Sequence, residues 1–340
     1  MAVLACGVAL VAGWLAYTRL GQTPFHWAEF LATFERLNWA WMACAIACVL
    51  LSYVGRALRW QVMLSPLCAD SRLWDLISAT IIGFAAIVVL GRPGEVVRPY
   101  LIAKKAKVTL SSQMAAWLLE RIFDLLALML IFGFALARMP ASNPTLSPAL
   151  QWVLRVGGYF VAGICLACLS LLFFFQRLAA TPEELSERLP DRIPAKIRGR
   201  IGELASAFAT GLKSSRGANT MWRLIAYTAL EWFLIAAVYA AVFRAFPATA
   251  NLRIGQIFVF LGLVAFGSII QIPGVGGGVQ VMAVLVLTEM FKIHLETATG
   301  IAIIIWLLTF VVAIPPAILL AIAEGLSWRQ IRQAEEEAAV

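Results

Sequence analysis

The chain has 340 residues, of which 62% are hydrophobic and 14% are charged, and its formal net charge is +8. Soluble domains are about half apolar and about a quarter charged, so this composition indicates a protein whose solvent is the lipid bilayer. It also excludes a large soluble catalytic domain, because the longest polar segment runs only from about residue 181 to residue 221.

Six apolar segments predict membrane-spanning helices, since each approaches the ~20 residues that cross a ~30 Å hydrocarbon core. They cover residues 2–18, 39–58, 112–136, 152–175, 223–245 and 298–322. The first segment starts at Met1 without a preceding basic region, so we expect a membrane anchor and not a cleaved signal. The pattern predicts an all-α polytopic membrane protein.

Two further apolar regions are interrupted by glycine and proline. Residues 73–106 are broken by Gly91-Arg92-Pro93-Gly94, and residues 254–291 by the run from Pro273 to Gly278. Irregular backbone at membrane depth persists only where protein or a water-filled cavity satisfies its polar groups. We therefore expect two re-entrant helical hairpins, although ordinary spans with proline kinks are the alternative.

The distribution of positive charge favours the hairpin at residues 73–106. With a cytoplasmic amino terminus and this hairpin, 19 of the 27 Lys and Arg residues face the cytoplasm and seven face outward. That asymmetry follows the positive-inside rule. The order span, hairpin, span then recurs upside down in the second half, and such an inverted repeat is typical of transporters.

The remaining segments complete the predicted organisation. We expect a transmembrane domain over residues 1–325 and a short cytoplasmic tail over residues 326–340. Within the insert at residues 181–221, apolar residues from Ile197 to Phe208 recur on one helical face. This spacing suits a helix on the inner leaflet, and a solvated linker helix is the alternative.

Charged residues inside apolar segments are the candidate functional residues, because each costs ~2.5–3.5 kcal/mol in a bilayer. Arg92 and Arg98 flank Glu95 on a glycine-opened turn, where guanidinium groups and free backbone N–H groups suit a phosphate. Glu95 either orients an arginine or receives a cationic headgroup, and a purely structural pair is the alternative. Arg56 and Arg59 either contact substrate or extend to the inner interface.

Four more ionisable residues lie within predicted spans. Glu120, Arg121 and Asp124 form a polar stripe on one helix, which predicts either an ion-pair lock between spans or a substrate contact. Glu231 has no basic residue at helical spacing in its own span. Its partner must therefore come from another helix or from the substrate.

The sequence gives no motif for soluble chemistry. No nucleotide-binding loop of the G-x-x-x-x-G-K-[ST] type occurs, and His26 and His294 lack the spacing of metal ligands. We therefore expect no catalytic activity, no cofactor and no metal.

Four motifs in order resemble the lysylphosphatidylglycerol synthase transmembrane, or flippase-domain, family. They are Arg56-Ala57-Leu58-Arg59-Trp60, Gly91-Arg92-Pro93-Gly94-Glu95 with Arg98, Glu120-Arg121-Ile122-Phe123-Asp124-Leu125 and the break at Pro273–Gly278. The resemblance covers nearly the whole chain. It implies a stand-alone, flippase-like protein of the bacterial inner membrane that moves a lipid between leaflets and lacks the aminoacyl-transferase domain.

The second break departs from the family pattern. Family members usually place a glutamate shortly after Pro-Gly-Gly-x-Gly, where this chain has the neutral Gln280. An amide cannot pair with a cationic headgroup, so anionic phospholipids, glycolipids and polyprenyl-phosphate sugars become candidate substrates beside aminoacylated lipid.

Two other functions stay open. The leading function is a flippase, alone or as a homo-oligomer. The first alternative is a non-transporting partner of a lipid-modifying enzyme or glycosyltransferase, and the second is an intramembrane transferase. An intramembrane transferase would use Glu95, Glu120, Asp124 or Glu231 as its acid or base. The candidate substrate-binding residues are Arg92, Glu95, Arg98, Arg59, Glu120, Arg121, Asp124, Glu231, Pro273, Gly276, Gly277, Gly278 and Gln280.

Overall fold

The structure, a computed structural model, describes residues 25–138, 218–267, 271–272 and 276–325, together with residues 164 and 167. The predicted span 2–18 and the tail lie outside the described residues. So do the span 152–175, apart from residues 164 and 167, and the insert at residues 181–221, apart from residues 218–221. The regular secondary structure of the described residues is helical except for one antiparallel ladder of two residues on each strand. The all-α prediction is therefore confirmed for this part of the chain.

Ten α-helices follow one another in the described residues. They are α1 (Trp27–Glu35), α2 (Trp39–Leu64), α3 (Leu73–Leu90), α4 (Val97–Ala106), α5 (Leu110–Arg138), α6 (Ala218–Ala245), α7 (Ile254–Gly267), α8 (Gly278–Leu285), α9 (Leu295–Thr309) and α10 (Ile314–Ala323). The ladder pairs β1 (Gln271–Ile272) with β2 (Gly276–Gly277).

Four helical segments of the described residues are long and apolar enough to cross a bilayer. They are Trp39–Leu64, Leu73–Leu90, Trp222–Ala245 and Leu295–Ala323. The 29-residue α5 is not among these four, and it differs from them in carrying three charged residues close together, Glu120, Arg121 and Asp124.

We predicted a full span at residues 298–322. In the structure this span is interrupted and is not one continuous α-helix. A 3-10 turn at Val311–Ala313 separates α9 from α10. Pro315 and Pro316 follow within the first turn of α10. Proline has no N–H to donate to the preceding turn and its ring crowds the carbonyl four residues earlier, so the helix breaks there.

The first interrupted region folds as an antiparallel helical hairpin. A 3-10 turn at Arg92–Val96 reverses the chain between α3 and α4. A Cβ atom on Gly94 would lie 2.5 Å from the Ala86 carbonyl oxygen, and one on Gly83 would lie 2.5 Å from the Cβ of Arg98. Glycine therefore permits the two helices to touch along their length.

The two open ends of this hairpin also lie together. Lys105, at the end of α4, donates a hydrogen bond to Ser78 Oγ over 2.9 Å and pairs with Glu324 beyond α10 over 2.5 Å. The two ends of region 73–106 therefore lie close together, and its entry into the membrane and exit from it on one side stays a prediction.

The second interrupted region folds in the same manner. β1 and β2 pair at its tip, with Gln271 opposite Gly277 and Ile272 opposite Gly276. A Cβ atom on Gly278 would lie 2.2 Å from the carbonyl oxygen of Gly267. The backbones of α7 and α8 are therefore in direct contact.

The packing of helices connects the two halves of the chain. α2 packs along α6, while α3 packs on α10 and α7 packs on α5. The contact between α7 and α5 is close, because a Cβ atom on Gly262 would lie 2.1 Å from the Phe132 ring. Each hairpin thus packs against a helix from the other half of the chain.

The apolar core is divided into two clusters. One contains Tyr53 of α2, Phe132 of α5 and Val238 of α6, and the other contains Trp60 of α2, Leu119 of α5 and Leu224 of α6. On all three helices, charged residues lie between the two clusters. We call this level of the bundle the charged layer, and it is described below.

Exposed tryptophans lie at the ends of apolar helices. Trp27 is exposed at the start of α1 and Trp39 at the start of α2, and Trp74 and Trp222 are exposed at the starts of α3 and of the apolar part of α6. Tryptophan prefers the interface between hydrocarbon and water. These side chains therefore mark two interfacial levels, as expected for a membrane-embedded bundle.

Candidate functional site

The charged layer is formed by side chains from α2, α4, α5 and α6. Its members are Arg56, Arg59, Arg98, Glu120, Arg121, Asp124 and Glu231. Other residues of α2, α5 and α6, such as Tyr53 and Trp60 of α2, are buried in the two apolar clusters and hold the charged residues at this depth. Charge at this depth is stable only when it is paired.

Arg59 is the centre of the charged layer. Its guanidinium nitrogens lie 2.5 Å from Glu120 Oε1, 2.6 Å from Asp124 Oδ1 and 3.0 Å from Glu231 Oε2. Nη1 also donates to Thr228 Oγ1 over 3.3 Å. One buried arginine on α2 thus binds carboxylates from both α5 and α6, which excludes the alternative that Arg59 extends to the membrane interface.

Arg98 joins the first hairpin to this layer. Its guanidinium group donates hydrogen bonds to both carboxylate oxygens of Glu120. The same group lies 4.3 Å from the centre of the Trp60 ring, and Trp60 Nε1 donates to Gln113 Oε1 over 2.8 Å. A bidentate ion pair and a cation–π contact therefore hold α4 against α2 and α5.

The other two arginines complete the layer. Arg56 Nη1 lies 2.7 Å from Glu231 Oε1, and its guanidinium carbon lies 4.8 Å from the centre of the Phe84 ring. Arg121 Nη2 lies 3.3 Å from Asp124 Oδ2 and 3.6 Å from Glu120 Oε2. The partners expected for Glu231 thus come from α2.

Six of the predicted site residues therefore meet in one place. They are Arg59, Arg98, Glu120, Arg121, Asp124 and Glu231. The side chain of Arg92 and the whole of Pro273 lie outside the described part of the structure, while Glu95 lies in the 3-10 turn that precedes α4. Whether Arg92 and Arg98 bind a phosphate stays a prediction.

Sequence reasoning missed three polar contributors to the layer. They are Thr228, Gln113 and the indole of Trp60. Thr228 precedes Glu231 by three residues and so shares its helix face, a signal that was available from the spacing. Gln113 and Trp60 gave no such signal, because only the packing of α2 on α5 brings them together.

The predicted residues of the second break belong to another part of the fold. Gly276 and Gly277 form β2, and Gly278 starts α8, which packs on α7 and α9. The side-chain oxygen of Gln280 accepts a hydrogen bond from the Gly277 N–H over 2.7 Å. Gln280 therefore caps the amino-terminal end of α8, a role that needs an acceptor and no charge.

We expect Gln280→Glu to keep the thermal stability of the protein, because a carboxylate oxygen accepts the same N–H and suits a helix amino terminus. Gln280→Leu removes the acceptor and should cost about 1 kcal/mol. Thermal unfolding of the detergent-solubilised variants measures both effects. A leucine variant as stable as the wild type would show that the cap is unimportant.

The comparison with protein families is consistent with this architecture. The family described as "Lysylphosphatidylglycerol synthase TM region" matches residues 2–317. The chain matches no curated protein and no solved structure.

Proposed function

Because the chain belongs to the lysylphosphatidylglycerol synthase transmembrane-region family, and is thus a multi-pass membrane protein, we propose that it moves a lipid between leaflets. The cargo is a phospholipid or a lipid-linked headgroup, and the membrane is the bacterial inner membrane. The chain itself performs no catalysis in this proposal. The observation that carries it is the charged layer, which joins one hairpin to three long helices.

The size of the charged layer supports a functional role. A single ion pair would suffice to hold two helices, yet seven ionisable side chains from four helices converge here. Ionisable groups at membrane depth are costly and normally mark a path for a polar or charged substrate. A lipid headgroup is such a substrate, and its acyl chains can remain in the surrounding bilayer.

The packing of the halves supports an inverted repeat. α2 through α5 contain a long helix, a hairpin and a second long helix, and α6 through α10 follow the same order. The contact of α3 with α10 corresponds to that of α7 with α5, as an exchange of the two halves requires. Transporters with inverted repeats alternate access by moving one half against the other around a central site.

The proposed movement has a defined connection to the charged layer. Arg98 ties the first hairpin to Glu120 of α5, so displacement of that hairpin must lengthen or break this ion pair. A phosphate group can replace Glu120 as the partner of Arg98, because a guanidinium group binds carboxylate and phosphate in the same fork. The headgroup would then compensate the charge that the movement uncovers.

Reconstitution in liposomes tests the proposal. Fluorescent lipids with anionic, zwitterionic and aminoacylated headgroups are placed in the inner leaflet, and the rate at which each becomes accessible to an external quencher is measured. We expect faster movement of at least one class than in protein-free vesicles. Equal rates for every class would contradict lipid translocation and favour a non-transporting partner of a lipid-modifying enzyme.

Variants separate translocation from folding in this assay. Arg98→Ala should abolish the acceleration, whereas Arg244→Ala, at an exposed position on α6, should preserve it. The melting temperature of each detergent-solubilised variant is recorded in parallel. Lost translocation in an Arg98 variant that keeps its melting temperature supports the site, while unchanged translocation argues against it.

The predicted orientation is tested by cysteine labelling. In a background without the six native cysteines, Lys107→Cys should react with a membrane-impermeant maleimide only from the cytoplasmic side. Arg253→Cys, an exposed position before α7, should react only from the outside. Labelling of both positions from the same side contradicts the inverted arrangement.

A further inference from the structure

The arginines of the charged layer differ in how much of each side chain remains accessible. The exposed fraction is 1% for Arg59, 5% for Arg98 and 12% for Arg56, but 39% for Arg121. Arg121 is therefore the most accessible arginine of the charged layer.

Arg121 also has the weakest contacts of the four. Its distances to Asp124 and Glu120 are 3.3 and 3.6 Å, whereas the shortest contacts of Arg56 and Arg59 are 2.7 and 2.5 Å. Within the described residues, the Nε atoms of Arg56, Arg59 and Arg121 are all buried without a hydrogen-bond partner, so Arg121 differs from the other two in its longer contacts and greater exposure. Guanidinium groups have five donors, so Arg121 has capacity for a further acceptor.

The composition of the layer favours an acceptor with negative charge. Its ion pairs contain four arginines and three carboxylates. The adjoining turn adds one positive residue, Arg92, and one negative residue, Glu95. With both included, positive charges still exceed negative charges by one. One anionic group would balance this excess, whereas a zwitterionic headgroup would bring its own cation with it.

We propose that Arg121 receives the phosphate of an anionic phospholipid and makes the site selective for that class over zwitterionic lipids. This assignment rests on the proposed function and names its substrate class. Arg121 can bind the phosphate while the charged layer is intact. Arg98 would bind the phosphate second, because its guanidinium group must first leave Glu120. The fork of Arg121 gives two parallel hydrogen bonds to the phosphate oxygens.

The test uses proteoliposomes with fluorescent phosphatidylglycerol or fluorescent phosphatidylcholine as cargo. Arg121→Gln removes the charge but keeps a polar side chain, Arg121→Lys keeps the charge without the fork, and Arg244→Gln is the matched control. We expect Arg121→Gln to slow the translocation of phosphatidylglycerol about tenfold, since a charged bidentate contact contributes about that factor or more. The translocation rate of phosphatidylcholine should stay unchanged. Arg121→Lys should show an intermediate loss. Equal losses for both lipids, or none, would overturn the assignment.

A binding measurement separates this inference from the proposed function. Phosphatidylglycerol should raise the melting temperature of the detergent-solubilised wild type, and phosphatidylcholine or inorganic phosphate should not. Arg121→Gln should lose that shift, and Arg244→Gln should keep it. If no lipid crosses the membrane but this selective shift is present, translocation is wrong and the anion site stands. If lipids cross and the shift survives in Arg121→Gln, the anion site is wrong and translocation stands.

Discussion

Replacing Arg59 with alanine should destabilise the protein more than any other single change in the charged layer. The substitution leaves Glu120, Asp124 and Glu231 without their shared cation. Removing one partner of a buried ion pair costs about 3–5 kcal/mol, because the remaining charge stays buried without compensation. Arg59→Lys retains the charge but reaches fewer acceptors, so we expect an intermediate loss.

The experiment compares melting temperatures and the fraction of monodisperse protein after detergent extraction. Arg244→Ala is the matched control, since this arginine is exposed on α6. Equal melting temperatures for Arg59→Ala and Arg244→Ala would contradict the central role of Arg59.

Replacing Gly278 with leucine should prevent correct folding of the second hairpin. Even the first side-chain atom would lie 2.2 Å from the carbonyl oxygen of Gly267, and that atom belongs to backbone that cannot rotate away. Overpacking typically costs about 1–3 kcal/mol, and a clash with backbone belongs at the upper end or beyond. Gly277→Leu should also be harmful, because Gly277 has a φ of 142° that side-chain-bearing residues rarely adopt.

Gly133→Leu is the control for both changes. Gly133 lies on α5, and a Cβ atom at that position would have no neighbouring heavy atom within 4 Å outside its own stretch of helix. The amount of folded protein recovered from membranes and its melting temperature are the measurements. Similar yields for Gly278→Leu and Gly133→Leu would show that the contact between α7 and α8 is dispensable.

Much of the fold follows from hydrophobic length and from interruptions. α2, α5 and α6 contain the apolar segments predicted at residues 39–58, 112–136 and 223–245, and each extends beyond them at one end or both. The breaks at Gly91–Gly94 and in the second apolar region lie where glycine and proline predicted them. Helix ends were less predictable, because polar residues such as Gln61 continue a helix that hydropathy alone would end.

The candidate site was predictable in its members but not in its pairs. Rare charges in apolar helices identified Arg59, Glu120 and Glu231, because a bilayer tolerates such residues only at special positions. No local spacing relates Arg59 to Glu231, which are connected only because α2 packs along α6. Likewise, the pairing of Arg98 with Glu120 depends on the contact between α4 and α5.

The charged layer also fixes the register of the helices during assembly of the bundle. A shift of α2 by one turn along its neighbours would move Arg59 by about 5.4 Å, farther than any of its ion-pair distances. The apolar faces on either side would still find apolar neighbours after such a shift, but three carboxylates would lose the guanidinium group that they share. A misaligned bundle is therefore destabilised at the charged layer. Hydrophobic packing alone would tolerate several alignments of α2, α5 and α6, and the ion pairs select one of them.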